Sequence, residues 1–277
     1  MDENTARVVL VAAPWPYLGG RATWSRVIEG LKSSDIFIID STELIEARNI
    51  REALVTKLRL SGASLPCVFV GHGLAAAAVV EAACLHSAPA GIVLISPILA
   101  GAKAATTLRM LSKLFAFPMV GQLLNAYASS KLRRFRSKSG RLEMKKAMRL
   151  FFGRNYDIPD DVLSDALVAI QRPEAVVLGR RAAELASSQL VSVQLHSPGR
   201  VQREVTVVRG RADAFTRRRP AVLKAAFPIA TVVDVDGGSA IMVENPQPVS
   251  DVINEMCRSI ASVKSCEAVE GTSRNMF

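Results

Sequence analysis

The sequence predicts an α/β fold: a mostly parallel central sheet with helices on both faces and a block of helices inserted after its fourth strand. Three observations lead there. Short continuous apolar runs, rich in Val and Ile, recur along the chain, as expected of strands buried on both faces. Segments with apolar residues at helical spacing alternate with them, the rhythm of a parallel sheet covered on each side. From about Ala100 to Arg200 the strand rhythm stops and only helical patterns remain, after which it resumes.

In chain order, Arg7–Ala12 reads as the first strand and ends in a Pro/Gly loop, Ala13–Gly20. Ala22–Leu31 follows as a helix, with Trp24, Val27, Ile28 and Leu31 on one face. Ile36–Asp40 is a second strand and Ile50–Leu60 a second helix. Cys67–Val70 is a third strand, running into a small-residue helix that lasts to about Cys84. Gly91–Ser96 is the fourth strand, stopped by Pro97. Helical patterns then cover 106–114, 120–130, 142–152, 159–170 and 174–186. Val205–Val208 and Thr231–Val235 are strands separated by a helix near 220–226, and Pro246 or Pro248 opens a last helix through Ile260. The expected division is residues 1–99 as the first part of the core, 100–200 as a helical cap, 201–262 as the second part, and 263–277 as a small polar, disordered tail.

With 277 residues, 49% of them hydrophobic, the chain buries a sizeable core without disulfides. Its four cysteines have no metal-site or redox-motif spacing, and Met1-Asp2-Glu3-Asn4 is unlike a signal peptide. No apolar run of membrane-spanning length is free of charge. The expectation is a soluble, reduced, cytoplasmic protein. No metal cluster and no Gly-rich phosphate loop after the first strand are present, so neither a metal nor another cofactor is expected.

The stretch Val68-Phe69-Val70-Gly71-His72-Gly73-Leu74-Ala75 carries the sharpest signal. A buried strand entering Gly-x-x-x-small and then a helix is the pattern of a nucleophile elbow, where small flanking residues let strand and helix backbones meet. Gly71 and Ala75 hold the flanking positions. The tip is Gly73, which has no side chain.

This order of motifs resembles the α/β-hydrolase superfamily, in the capped branch of epoxide hydrolases, haloalkane dehalogenases and related esterases. The likeness runs from about Arg7 to Ser262 and begins at the third strand of that fold. Trp24–Ile28 resembles the helix after the oxyanion loop, Gly71–Ala75 the Gly-His-Ser-x-Gly elbow, and Leu94–Pro97 the strand after it. Val208–Asp213 resembles the turn that carries the triad acid. Gly237–Pro246 resembles the Gly-His-x-x-x-x-Glu-x-Pro turn that carries the triad histidine.

The resemblance implies an α/β-hydrolase fold with a degenerate triad. Nucleophile, acid and base positions fall on Gly73, Asp213 and Ser239. Glycine cannot attack, and serine cannot take a proton near neutral pH. The oxyanion loop reads Ala12-Ala13-Pro14-Trp15, and its prolines lack N–H groups. Ala13, Pro14, Trp15, His72, Leu74 and Ser96 are the pocket-lining candidates. Apolar residues between Leu111 and Leu124 could line a pocket under the cap. Of the histidines, His72 is expected to pack beneath the elbow, His86 to lie in a surface loop, and His196 to be structural. The expected function is therefore a non-catalytic binding or accessory protein. The alternative is an enzyme of non-triad chemistry (a cyclase, lyase or isomerase, or a weak hydrolase with recruited residues) acting on an apolar small molecule.

Formal net charge is +10. Ten Lys or Arg side chains lie between Lys131 and Arg154, against Glu143 alone. Arg133, Arg134, Arg136, Arg141, Lys145 and Lys146 form a candidate docking surface for an acidic protein or an anionic membrane, or else a solvated helical face. Nucleic acid is not expected, because no recognised binding motif accompanies the charge.

Overall fold

The computed structural model of the chain describes residues 6–12, 18, 21–40, 50–62, 65–98, 139–171, 177, 204–214 and 227–273, with isolated positions at 110, 113–114, 122–123, 126–127, 130 and 133–135. Among the described residues six strands form one parallel sheet: β1 (Arg7–Val11), β2 (Ile36–Ile39), β3 (Cys67–His72), β4 (Ala90–Ile95), β5 (Glu204–Gly210) and β6 (Thr231–Val235). Their spatial order is β2-β1-β3-β4-β5-β6, so the elbow strand β3 lies in the middle. Helices are α1 (Ala22–Glu29), α2 (Ile50–Gly62), α3 (Ala76–Leu85), α4 (Gly140–Met148), α5 (Asp160–Gln171), α6 (Ile241–Glu244) and α7 (Pro246–Ser273). The sequence-predicted helices at 220–226, 106–114, 120–130 and 174–186 lie wholly or mostly outside the described residues. So do His196 and most of the Leu111–Leu124 run, of which Leu123 is exposed.

Alternate strand residues feed two cores, as a pleat buried on both sides requires. Val8, Leu10, Val68, Val70, Val93 and Ile95 pack with Trp24 and Val27 of α1 and with Val249, Ile253 and Met256 of α7. Val9, Val11, Phe69, Ile92 and Leu94 pack on the other side with Leu54 and Leu58 of α2 and the small residues of α3. The described part of the helical insert is no separate layer. Met144, Met148, Val162, Leu163 and Ile170 join the α1/α7 core.

Three helix ends depart most from the sequence pattern. α4, expected over 142–152, stops at Met148. α1 stops at Glu29 rather than Leu31. There the Asn254 amide bonds both sides of the exit, donating to the Gly30 carbonyl at 2.9 Å and accepting from Lys32 N–H at 2.9 Å. α7 continues from Pro246 to Ser273, past the expected end at Ile260 and into the segment expected to be disordered. At its other end α1 has no local side-chain cap. Asp165 of α5 supplies one from afar, accepting from Ala22 N–H at 3.1 Å.

Candidate functional site at the carboxyl ends of the strands

At the end of β3 the chain turns sharply through a short 3₁₀ turn, Gly73–Ala75, into α3. Gly73 has φ +56°, a region costly for residues with a Cβ and nearly free for glycine. The turn is closed by Ile98, whose N–H donates to the Gly73 carbonyl at 3.0 Å. The elbow read from the sequence is thus present, with Leu74 and Ala75 buried behind its tip.

The neighbouring strand ends on Ser96. β3 and β4 pair up to His72 opposite Ile95, which places Gly73 and Ser96 next along the same edge. Ser96 N–H donates to the Val208 carbonyl at 2.9 Å. Its φ is +43°, rare for a residue with a side chain, and its buried Oγ has no hydrogen-bond partner.

The remaining two positions matched to the triad by the sequence resemblance, Asp213 and Ser239, arrive from β5 and β6. Asp213 is fully buried (0% exposed) in the turn after β5. That turn is bonded to the turn after β6: Arg211 N–H donates to the Val235 carbonyl at 2.8 Å and Ala212 N–H to the Gly237 carbonyl at 2.9 Å. A side chain at Gly210 would strike the Gly238 carbonyl, so close backbone approach holds the two turns together. Gly73, Asp213 and Ser239 therefore stand at one end of the sheet. His72 links elbow and Ser239 turn directly, its Nε2–H donating to the Ser239 carbonyl at 3.2 Å. Since a carbonyl only accepts, Nε2 carries the proton and Nδ1 is a bare acceptor, buried without a partner. Burial holds the His72 pKa down to about 4, against the opposing pull of that hydrogen bond.

The Ser239 hydroxyl is taken up by a backbone carbonyl. Its buried Oγ donates to the Phe151 carbonyl at 3.4 Å, and Ala240 N–H donates to the same oxygen at 2.9 Å. The segment just after α4 thus sits on the turn that the sequence resemblance matched to the triad histidine. Glu244 tightens the clasp. One of its carboxylate oxygens accepts from Gly153 N–H at 2.9 Å and the other from Gly238 N–H at 2.7 Å. Burial raises the Glu244 pKa, and those two N–H bonds lower it. Tyr156 adds a hydrogen bond to the Val243 carbonyl at 3.0 Å and stacks on Phe152, with ring centroids 5.5 Å apart. The structural part played by Glu244 went unread in the sequence, although its spacing within Gly237–Pro246 marked the position.

Among the other candidates, His72, Leu74 and Ser96 are buried at this edge, and Ala13, Pro14 and Trp15 lie outside the described residues. His86 is corrected: it is buried, its Nε2 within 2.8 Å of the Leu65 carbonyl and its ring edge-on to Phe69. The basic segment is less bare than its sequence window suggested. Arg141 pairs with Asp160, Lys145 with Asp157, and Lys146 with Glu143 at 3.0 Å. Arg133, Arg134, Arg141 and Lys146 are exposed, Lys145 is half-buried, and Arg136 lies outside the described residues. Among the described residues no group of His, Cys, Asp and Glu is arranged to hold a metal ion, and no helix is long and apolar enough to cross a membrane.

Residues 4–252 match the sequence model of the alpha/beta hydrolase family. Solved structures similar in fold include a carboxylesterase from Bacillus subtilis, 14% identical over 92% of this chain and 84% of that one, with a TM-score of 0.53. Juvenile hormone epoxide hydrolase from the silkworm Bombyx mori is 14% identical over 95% and 75%, with a TM-score of 0.58. An alpha/beta hydrolase enzyme from a Medee basin deep-sea metagenome library is 12% identical over 92% and 90%, with a TM-score of 0.62. No curated protein matches the chain.

Proposed function

The chain belongs to the alpha/beta hydrolase family, and on that premise we propose that it uses the family's site for binding and not for nucleophilic hydrolysis. The observation that carries this reading is Gly73 at φ +56°. The elbow keeps the conformation that presents a nucleophile, and the residue presented has nothing to attack with. The position of the base points the same way, since Ser239 spends its hydroxyl on the Phe151 carbonyl. Asp213 is left with no histidine at the matched position to orient. The ligand class we assign is an apolar small molecule held under the helical insert, with the protein acting as an accessory or sensor. A reducing, cytoplasmic setting fits Cys67, Cys84 and Cys257, which no disulfide joins.

Labelling and turnover test this directly. The purified protein should resist fluorophosphonate probes and leave p-nitrophenyl esters, epoxides and haloalkanes unchanged. Stoichiometric labelling, or turnover well above the buffer rate, would sink the binding reading.

A second reading is favoured by Ser96, whose left-handed backbone and partnerless buried hydroxyl sit beside the vacant tip. In an enzyme of non-triad chemistry this hydroxyl would polarise or position the substrate. Any turnover found should then fall at least about tenfold in Ser96→Ala, with the fold intact by circular dichroism. Turnover that survives Ser96→Ala removes this second reading.

A further inference from the structure

Four buried side-chain polar atoms find no hydrogen-bond partner among the described residues: Trp24 Nε1, Arg26 Nη1, His72 Nδ1 and Ser96 Oγ. The first two belong to α1, and Arg26 is paired through its other terminal nitrogen with Asp161 at 3.0 Å. The last two come from neighbouring strand ends. His72 pairs opposite Ile95 at the end of β3, and Ser96 is the next residue after β4. Adjacent strands lie about 4.8 Å apart and rise about 3.3 Å per residue, so the two backbones are about 6 Å apart. His72 is 4% exposed and Ser96 1% exposed. A buried polar atom left unmet is a cost that calls for an explanation, and here two stand together.

The backbone fixes both groups. Ser96 is held at φ +43° by its own N–H bond to the Val208 carbonyl and by Ile98, two residues on, which bonds the Gly73 carbonyl. His72 is fixed in one tautomer by its bond to the Ser239 carbonyl. Next to both along the sheet edge is Gly73, which has no side chain to meet either. β3 lies where the strand order reverses, at the carboxyl ends of parallel strands, the place where such sheets take ligands. Backbone strain kept at such an edge points the same way.

We propose that Ser96 Oγ and His72 Nδ1 together grip the hydroxyl of an alcohol, so that the small molecule bound here is apolar with a neutral hydroxyl at its buried end. The proposal rests on the binding reading above and names the polar group of its ligand. Hydrogen-bond complementarity selects that group. With Nε2 protonated, Nδ1 only accepts, so the ligand must donate to it. A ligand hydroxyl gives its proton to Nδ1 and takes the Ser96 proton on its oxygen, so one atom satisfies both groups. An ether, ketone or ester oxygen accepts only, and leaves Nδ1 bare. A carboxylate does the same and sets a negative charge against the Nδ1 lone pair. An ammonium donates but has no lone pair for the Ser96 proton.

Titration of the full chain with n-alkanols, from n-butanol to n-decanol, tests this by calorimetry and by nitrogen NMR of the histidine rings. The best-bound alcohol should move the His72 Nδ1 resonance upfield. It should also bind at least about fivefold more tightly than the methyl ether or the carboxylate of equal length. Ser96→Ala should weaken alcohol binding about fivefold or more and leave ether binding unchanged. Its melting point without ligand should not fall, whereas a hydroxyl serving structure alone would lower it. The losses in Ser96→Ala and His72→Phe should not add, because both act on one hydroxyl. If His72→Phe does not fold, the parent resonance and the Ser96→Ala affinities decide the matter. Equal affinity for alcohol and ether overturns the proposal. So does an Nδ1 resonance that no alkanol moves, which would assign both groups to an ordered water only. Fluorophosphonate labelling or ester turnover would sink the binding reading instead, and neither measurement bears on the preference for alcohol over ether.

Discussion

The elbow turn and the Ser239 turn share one end of the sheet, yet they are held in different ways. At the elbow the tip residue carries no side chain: Gly73 holds φ +56° at the end of β3. At the other turn the side chain is taken into packing, with Ser239 and Ala240 both bonded to the Phe151 carbonyl. The first turn presents no side chain at its tip and keeps its shape through local geometry. The second depends on contacts with a segment nearly ninety positions away, through Phe151, Gly153 and Tyr156. Local strain and long-range clasping are separable, and substitutions distinguish them.

The largest effect is expected at the clasp. Glu244→Ala strands the Gly153 and Gly238 N–H groups at once, and should cost about 2–4 kcal/mol, since an unsatisfied buried donor costs about 1–3 kcal/mol and Gly153, only half-buried, adds the low end of that range. Glu244→Gln keeps one acceptor and should fall between the two. Urea midpoints measure both. A Glu244→Ala protein as stable as the parent would mean that the Ser239 turn stands alone, and the contrast between the turns would collapse.

His72 joins the two turns and gives a pH test. Its folded pKa of about 4 lies below the ordinary 6.5. Folding therefore excludes a proton that the unfolded chain accepts. The stability it confers is complete above about pH 6.5 and drains away as pH falls toward 4. At about 1.4 kcal/mol per pH unit the loss reaches about 3 kcal/mol. Glu244, raised by burial, works in the opposite direction, because its contribution is lost as pH rises. Paired carboxylates such as Asp161 and Asp234 are lowered by their arginines and titrate below this window. Urea midpoints from pH 7 to 4.5 should decline in the parent and much less in His72→Gln. Parallel slopes would remove His72 from the account.

Much of this was legible in the sequence. The strands were readable because a sheet buried on both faces leaves uninterrupted Val and Ile, and β3 overran its expected end only because pairing with β4 continues through Gly71 and His72. The elbow was readable because it is local, with small residues at fixed spacing around one tip. The clasp was not, because its key acceptor is the Phe151 carbonyl, which any residue would supply. The cap of α1 was hidden likewise, its acceptor being Asp165, 143 positions away. The basic segment looked barer than it is because its neutralising partners, Asp157 and Asp160, begin just past the window in which the cations cluster. His86 was placed at the surface by its polar neighbours, while Phe69 and the Leu65 carbonyl draw it inside.

The smallest effects come from Gly73 and Ser239 themselves, and their ratio sharpens the comparison. Gly73→Ser forces a Cβ into the left-handed region and should cost about 1–3 kcal/mol. Ser239→Ala removes a hydrogen bond that is long, at 3.4 Å. The Phe151 carbonyl keeps the Ala240 N–H as a donor at 2.9 Å, so the loss leaves no acceptor stranded. A net hydrogen bond contributes about 0.5–1.5 kcal/mol, and one this long should fall at or below about 0.5 kcal/mol. The Ser239 turn should therefore tolerate loss of its side chain better than the elbow tolerates gain of one. Denaturant titrations of both variants at pH 7 measure the ratio. If Ser239→Ala proves the costlier, the hydroxyl itself and not the backbone clasp holds that turn, and the two turns would be alike in depending on a single side-chain position.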